Sequence, residues 1–331
     1  MIGREAREAA ERTHLRRGAT LADGAGNRAI PEEPDTERTC FERDRDRIVH
    51  STAFRRLAGK TQVVVFPTDH QRTRLTHALE VSQVATSIAR AIGVNATLAE
   101  AIALGHDCGH GPGGHASEDA FDAFLPEGYD HGPWGADVVL APLNLCAETL
   151  DGVRNHSWSR PAPATIEGEI VSWADRIAYC AHDLEDAVSA GIVRPSDIPA
   201  VVADVCGATR REQLRTFVRG VTESTIATGH VGMDPDTHAA LAALRSFNYE
   251  RIYTRPESRA QASAVIEVLH ALVEYYSEVP GRIPNGIESD DLVVDAVTYV
   301  GGMTDQFAFD RAAQLLGWDR TRLPRGIGRG A

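Results

Sequence analysis

HALEVSQVATSIARAIGV, residues 77–94, is the stretch from which the fold class is read. Val81, Val84, Ala85, Ile88 and Ile92 return at the spacing of one face of an α-helix, and Gly93 fits a C-terminal stop. His77 falls on the same stripe, so an imidazole is predicted to point inward with the apolar side chains.

The same period continues outward. ATLAEAIALGHDCG (96–109) reads as a helix with Leu98, Ala99, Ile102 and Ala103 on one side, and His106 follows Ile102 on that side. IEGEIVSWADRIAYCAHDLEDAVSAG (166–191) reads as one long helix with the stripe Ile170, Trp173, Ile177, Ala181, Leu184 and Val188, ended by Gly191. Further helices are predicted near 115–124, 134–141, 197–206, 210–228, 236–250, 257–277 and 289–316. Alternation of the strand type is confined to KTQVVVF (60–66). The expected architecture is all-α, with at most one short β-hairpin. Residues 1–36, polar and rich in Arg, Glu, Gly and Pro, are expected to form a flexible N-terminal segment.

Composition excludes several classes of function. The chain has 331 residues, 43% hydrophobic and 24% charged, as in ordinary globular proteins. No apolar run reaches transmembrane length, and the N-terminus lacks the apolar core of a secretory signal. Cys40, Cys108, Cys146, Cys180 and Cys206 are scattered and odd in number, which predicts reduced thiols in a cytoplasmic protein. A net charge of −13 opposes non-specific binding to nucleic acid. Positive charge is nevertheless concentrated at Arg43, Arg45, Arg47, Arg55, Arg56, Lys60, Arg72 and Arg74, and Lys60 is the only lysine.

GHDCGHGPGGH (105–115) puts His106, Asp107, His110 and His115 among five glycines. A packed core gains little from such a segment, whereas a metal ion or a phosphate gains a great deal. Two inward histidines, His77 and His106, with Asp107 beside the second, offer the imidazole and carboxylate donors that suit a divalent first-row metal. Asp175 is the candidate fourth ligand, because it interrupts the apolar run VSWADRIAY. A solvated position beside Arg176 accounts for it equally well. Asp175, Tyr179 and Asp183 recur every four residues and share one helix face.

His77, His106–Asp107 and Asp175 match the H…HD…D signature of the HD-domain metal-dependent phosphohydrolases. The match extends through RDRDRIVHSTAFRRLAGKTQV, RTRLTHALEV, HDCGHGPGGHASE, NLCAETLDGVRNHSW, ADRIAYCAHDLEDAVSAGIV and YVGGMTDQFA. Together these resemble the deoxyguanosine triphosphate triphosphohydrolase family, from about residue 40 to 318.

The resemblance implies an HD domain over 37–195 and a C-terminal helical region, 196–331, packed on it. It implies cleavage of a deoxynucleoside triphosphate to deoxynucleoside and inorganic tripolyphosphate. It implies one divalent ion (Mn, Mg, Fe, Zn, Ni or Co) on His77, His106, Asp107 and Asp175. His115 would then be the general acid, Glu118 its orienting carboxylate, and His110 and His131 groups that contact phosphate or assist catalysis. Arg74 and Arg176 would contact substrate, with Tyr179 and Asp183 facing the deoxyribose. Family members commonly form homo-oligomers and respond to deoxynucleotide effectors.

Gly111, Gly113 and Gly132 depart from the family's usual residues in the phosphate-facing segments. They leave open another HD phosphohydrolase, such as a nucleoside monophosphatase or phosphodiesterase, or a nucleotide sensor with weak hydrolysis.

Overall fold

Helix boundaries follow local chemistry. The computed structural model describes residues 2–63, 71–279, 281–284 and 291–324. Fifteen α-helices run through them: α1 (Arg4–His14), α2 (Cys40–His50), α3 (Thr52–Arg56), α4 (Arg74–Ile92), α5 (Ala96–Gly105), α6 (Ala116–Asp122), α7 (His131–Trp134), α8 (Ala147–Asn155), α9 (Ile166–Ser189), α10 (Ala200–Cys206), α11 (Arg210–Thr228), α12 (Pro235–Asn248), α13 (Pro256–Glu278), α14 (Leu292–Gly301) and α15 (Asp305–Leu316). Gly93 takes a left-handed φ of 83° and stops α4, as its position predicted. Asn95 caps α5 by accepting from the N–H groups of Thr97 and Leu98, and Thr165 caps α9 through Gly168.

The all-α expectation holds. Among the described residues there is no strand, only isolated antiparallel bridges between Arg28 and Cys146 and between Thr61 and Thr73. Residues 64–66 of the possible hairpin lie outside the described residues. Three predicted helices differ in extent. The helix expected over 96–109 ends at Gly105, because a tight turn, with Cys108 N–H donating to the Gly105 carbonyl, takes over. The helix expected over 134–141 is α7 followed by a wider turn over Gly135–Val139. The helix expected over 289–316 is two, α14 and α15, parted by Gly302 and Met303 and restarted by the Thr304 cap.

α4 packs against α5 and α9, and α5 also packs against α9, α2 and α8. Val81, Ile88, Leu98, Ile102, Ile170 and Ile177 are fully buried at this centre. Each such side chain contributes about 2 kcal/mol relative to exposure. α11 and α12 cover α9 from the C-terminal side. A second apolar cluster joins α6 to α13, α14 and α15 through Phe121, Leu269, Val300 and Phe309. No described helix is long and apolar enough to cross a membrane, and all five cysteines are free and buried.

Where the sequence suggested a flexible segment over 1–36, the described part carries α1 and several anchors. Thr20 donates its N–H and hydroxyl to the buried Glu167, which also accepts from Asn95 N–H. Arg28 pairs with Asp44 at 2.7 Å, both side chains essentially without exposure, and Asp44 also accepts from Cys146 N–H and the Thr149 hydroxyl. Breaking a buried pair from one side leaves an uncompensated charge. Asp44→Ala is therefore expected to lower unfolding stability by about 3–5 kcal/mol in urea titration. Arg38→Ala, at the half-exposed 3.1 Å pair with Asp46, is expected to cost less than about 1 kcal/mol in the same assay.

Candidate active site

Three segments meet at one point in the interior. The first turns of α4 carry Arg74 and His77, the turn after α5 carries His106, Asp107 and His110, and α9 brings Asp175. His77 Nε2 lies 3.0 Å from Asp175 Oδ1 and 3.9 Å from Asp107 Oδ2. His106 Nε2 lies 3.6 Å from Asp107 Oδ1 and 3.7 Å from Asp175 Oδ1.

The donor chemistry fits a cation. His106 Nδ1 hydrogen-bonds the Ala103 carbonyl at 2.6 Å, which fixes the proton there and turns the Nε2 lone pair inward. That buried Nε2 has no hydrogen-bond partner. Two ligand atoms each about 2.1 Å from one ion lie about 3.0–3.4 Å apart; the His77–Asp175 separation is 3.0 Å, and the other three are 3.6–3.9 Å. Burial opposes the charge on Asp107, yet Arg74, His106 and His110 together hold its pKa well below the usual carboxylate range. Arg74 Nη1 donates to Asp107 Oδ2 at 2.6 Å. Asp175 is likewise held low against burial by His77, His106 and His156. A proton shared between His77 and Asp175 and a bound cation are alternatives at that spot.

Beside this cluster runs a chain of imidazoles and a carboxylate. His115, just before α6, is open to solvent and its Nδ1 lies 3.1 Å from Glu118 Oε2. Glu118 Oε1 is bonded to His131 Nδ1, so one carboxylate orients two imidazoles. Burial works against the charge on Glu118, but the bonds from His115 and His131 drive its pKa far down. His131 stacks on His110 with ring centroids 3.8 Å apart, and its Nε2 lies 3.1 Å from His156 Nε2. His110 Nε2 in turn lies 3.1 Å from Asp107 Oδ1.

A cavity of about 630 Å³ opens over both groups. His77, Asp107, His110, His115, His131 and Asp175 line it, together with Arg176, Tyr179 and Asp183. The one-face spacing read from the sequence thus brings the α9 residues to the same wall. Arg176 rests over the Trp158 ring at 3.3 Å with its Nε unpartnered, and Tyr179 accepts from Arg245 at 3.1 Å. Asp183 is gripped by Arg72 and by the Tyr253 hydroxyl.

His156, Arg72, Tyr253 and Trp158 were not singled out as site residues from the sequence. His156 and Trp158 stand inside the string NLCAETLDGVRNHSW, and Arg72 inside the arginine cluster, but none has a periodic pattern to aim it. His156 holds the tautomer logic of His106, with Nδ1 on the Val153 carbonyl at 2.8 Å and Nε2 inward. Burial first, then the neighbouring His106 and His131, push its pKa down to about 3.

Residues 74–180 match the HD domain and residues 231–314 the phosphohydrolase-associated domain. A deoxyguanosinetriphosphate triphosphohydrolase-like protein of Clostridium perfringens (strain 13 / Type A) is 39% identical, covering 92% of this chain and 94% of that protein. One from Deinococcus radiodurans, like protein 1, is 32% identical over 95% of this chain and 98% of its own. A crystal structure of a hypothetical protein from Aquifex aeolicus has a TM-score of 0.53 at 18% identity, covering 84% of this chain and 69% of that one. That last likeness concerns the fold.

Gly109 decides how closely α7 approaches the turn. A Cβ there would stand 2.6 Å from Gly135 N and 2.8 Å from Gly135 Cα, and would overlap the His131 carbonyl. All three are backbone atoms and cannot swing aside. Gly109→Ala is expected to displace His131 from Glu118 and His156 and to lower the melting temperature by several degrees in calorimetry.

Proposed function

Since the chain belongs to the deoxyguanosinetriphosphate triphosphohydrolase-like family of HD phosphohydrolases, we propose that it hydrolyses deoxynucleoside triphosphates to deoxynucleoside and inorganic tripolyphosphate. The observation that carries this reading is the His115–Glu118 pair, with His115 lining the same cavity as His77, Asp107 and Asp175 of the two-histidine, two-aspartate cluster.

A divalent cation held by His77, His106, Asp107 and Asp175 would supply charge stabilisation at the α-phosphate and lower the pKa of an attacking water. In the overall reaction the water oxygen bonds to the α-phosphorus, the bond from phosphorus to the 5′-oxygen breaks, and that oxygen takes a proton. His115 donates it. With Nδ1 turned to Glu118, its Nε2 is the free position, and the carboxylate behind it stabilises the imidazolium that must exist before transfer. Glu118 also holds His131, whose charged form stands beside the phosphates.

Arg176, which lines the cavity, meets the polyphosphate with its guanidinium. The Tyr179 ring fills the space that a 2′-hydroxyl would need. Asp183, immobilised by Arg72 and Tyr253, keeps lone pairs for a 3′-hydroxyl.

Products decide the reaction class. Purified protein with manganese is expected to release deoxynucleoside and tripolyphosphate from at least one deoxynucleoside triphosphate, separated by ion exchange, and to spare GTP. His115→Ala is expected to reduce the rate by about 10²–10⁴-fold while keeping bound metal. Inorganic phosphate as the only product would point instead to a monophosphatase, and binding without turnover to a sensor.

Metal removal has a separate readout. Chelation is expected to lower the melting temperature, because an ion bound by the folded chain alone stabilises it by mass action. Asp175→Ala is expected to lose metal by elemental analysis and to show little further loss of melting temperature on chelation.

A further inference from the structure

Lys60, the only lysine of the chain, is 3% exposed. Its Nζ donates to the His110 carbonyl in the glycine loop and, at 3.0 Å, to the Gly301 carbonyl at the end of α14. One residue on, Thr61 donates its N–H at 3.0 Å and its hydroxyl at 2.5 Å to Asp305 Oδ2, in the first turn of α15. The other oxygen, Asp305 Oδ1, accepts the Gly113 N–H at 2.8 Å. Asp305 is also only 3% exposed, so its carboxylate exchanges water for these three donors.

The pattern asks for these residue types. An aspartate accepts from all three donors, whereas an asparagine would have to aim its NH₂ at one of them. Lysine is the side chain long enough and rich enough in donors to join two carbonyls from different segments. The loop between His110 and His115 needs outside support, since Gly113 and Gly114 sit at φ of 74° and 66° with no side chains to pack. Gly113 also lies against Val265 of α13, so the wall behind the loop is built from the C-terminal helices.

We propose that Lys60, Thr61 and Asp305 are positioning residues that clasp the glycine loop to α14 and α15 and so hold His110 and His115 over the cation cluster. The C-terminal helices thereby become a condition for a competent site: if α14 and α15 shift, the loop loses its outer supports. The catalytic part of this inference rests on the hydrolytic reading above, whereas the structural part does not.

The lone lysine is its own reporter. An amine-reactive reagent has one side-chain target, and a buried amine reacts only when the structure opens locally. Mass spectrometry of the full chain is expected to show slow modification of Lys60 in the wild type. Asp305→Asn and Thr61→Val are expected to speed it by about tenfold or more, with metal content unchanged. Thr61→Ser, which keeps both donors, is expected to stay close to wild type.

On whichever triphosphate the wild type turns over, kcat of Asp305→Asn and Thr61→Val is expected to fall by about tenfold or more, with KM changed by less than about threefold, and Thr61→Ser to recover most of it. Lys60 as slow to react in folded Asp305→Asn and Thr61→Val as in the wild type would overturn the clasp. Wild-type kcat in a variant whose Lys60 has become reactive would overturn its role in positioning. If the wild type hydrolyses no triphosphate, the hydrolytic reading fails and the labelling comparison still decides the clasp.

Discussion

Asp107 is a carboxylate with 3% exposure at the turn that follows α5, and much of the protein is arranged so that it stays charged. An unpaired ion in that position would cost several kcal/mol. Arg74 from α4 binds one oxygen, His110 approaches the other, and His77 and His106 stand within 4 Å. Satisfying this one group therefore requires α4 and α5 to pack in register and requires the chain to turn sharply after Gly105. The same histidines and aspartates, once gathered, offer a set of inward lone pairs that a divalent cation fits.

The charge distribution shows why net charge is a poor guide to what such a cavity accepts. The chain as a whole carries −13. Arg74, Arg176 and Arg245 nevertheless line the cavity beside Asp107, Asp119, Asp175 and Asp183, so its lining is far nearer to charge balance than the chain. Arg72 is not part of that lining. Its guanidinium is held by Glu80, Asp183 and Asp186, so it fixes carboxylates rather than attracting anions.

Rigid and permissive backbone have separate tasks. α4, α5 and α9 share a core of side chains without exposure, and the groups suited to holding a cation hang from these helices or their ends. The glycine-rich turns carry His110, His115 and His131, where close backbone approach matters more than helical regularity. Glu118, on α6, ties these glycine-rich segments to each other by binding a histidine on each side of it in the chain.

The helical period aimed His77 and His106 inward and gathered Asp175, Tyr179 and Asp183 on one face, so these residues were legible in the sequence. Periodicity works there because burial on one side of a helix repeats with its turn. Gly93 was legible for a related reason, since few residues other than glycine tolerate the left-handed stop. His156 was not, because it follows the end of α8 and its direction depends on a carbonyl three residues back. Nor was the break between α14 and α15, where Gly302 and Met303 interrupt an otherwise continuous apolar pattern. Local spacing thus determined the all-α class and the inward-facing histidines. Which residue pairs with which, from Arg72 with Asp183 to Lys60 with Gly301, was decided only by tertiary packing, because those partners lie more than a hundred residues apart and no local rule couples them.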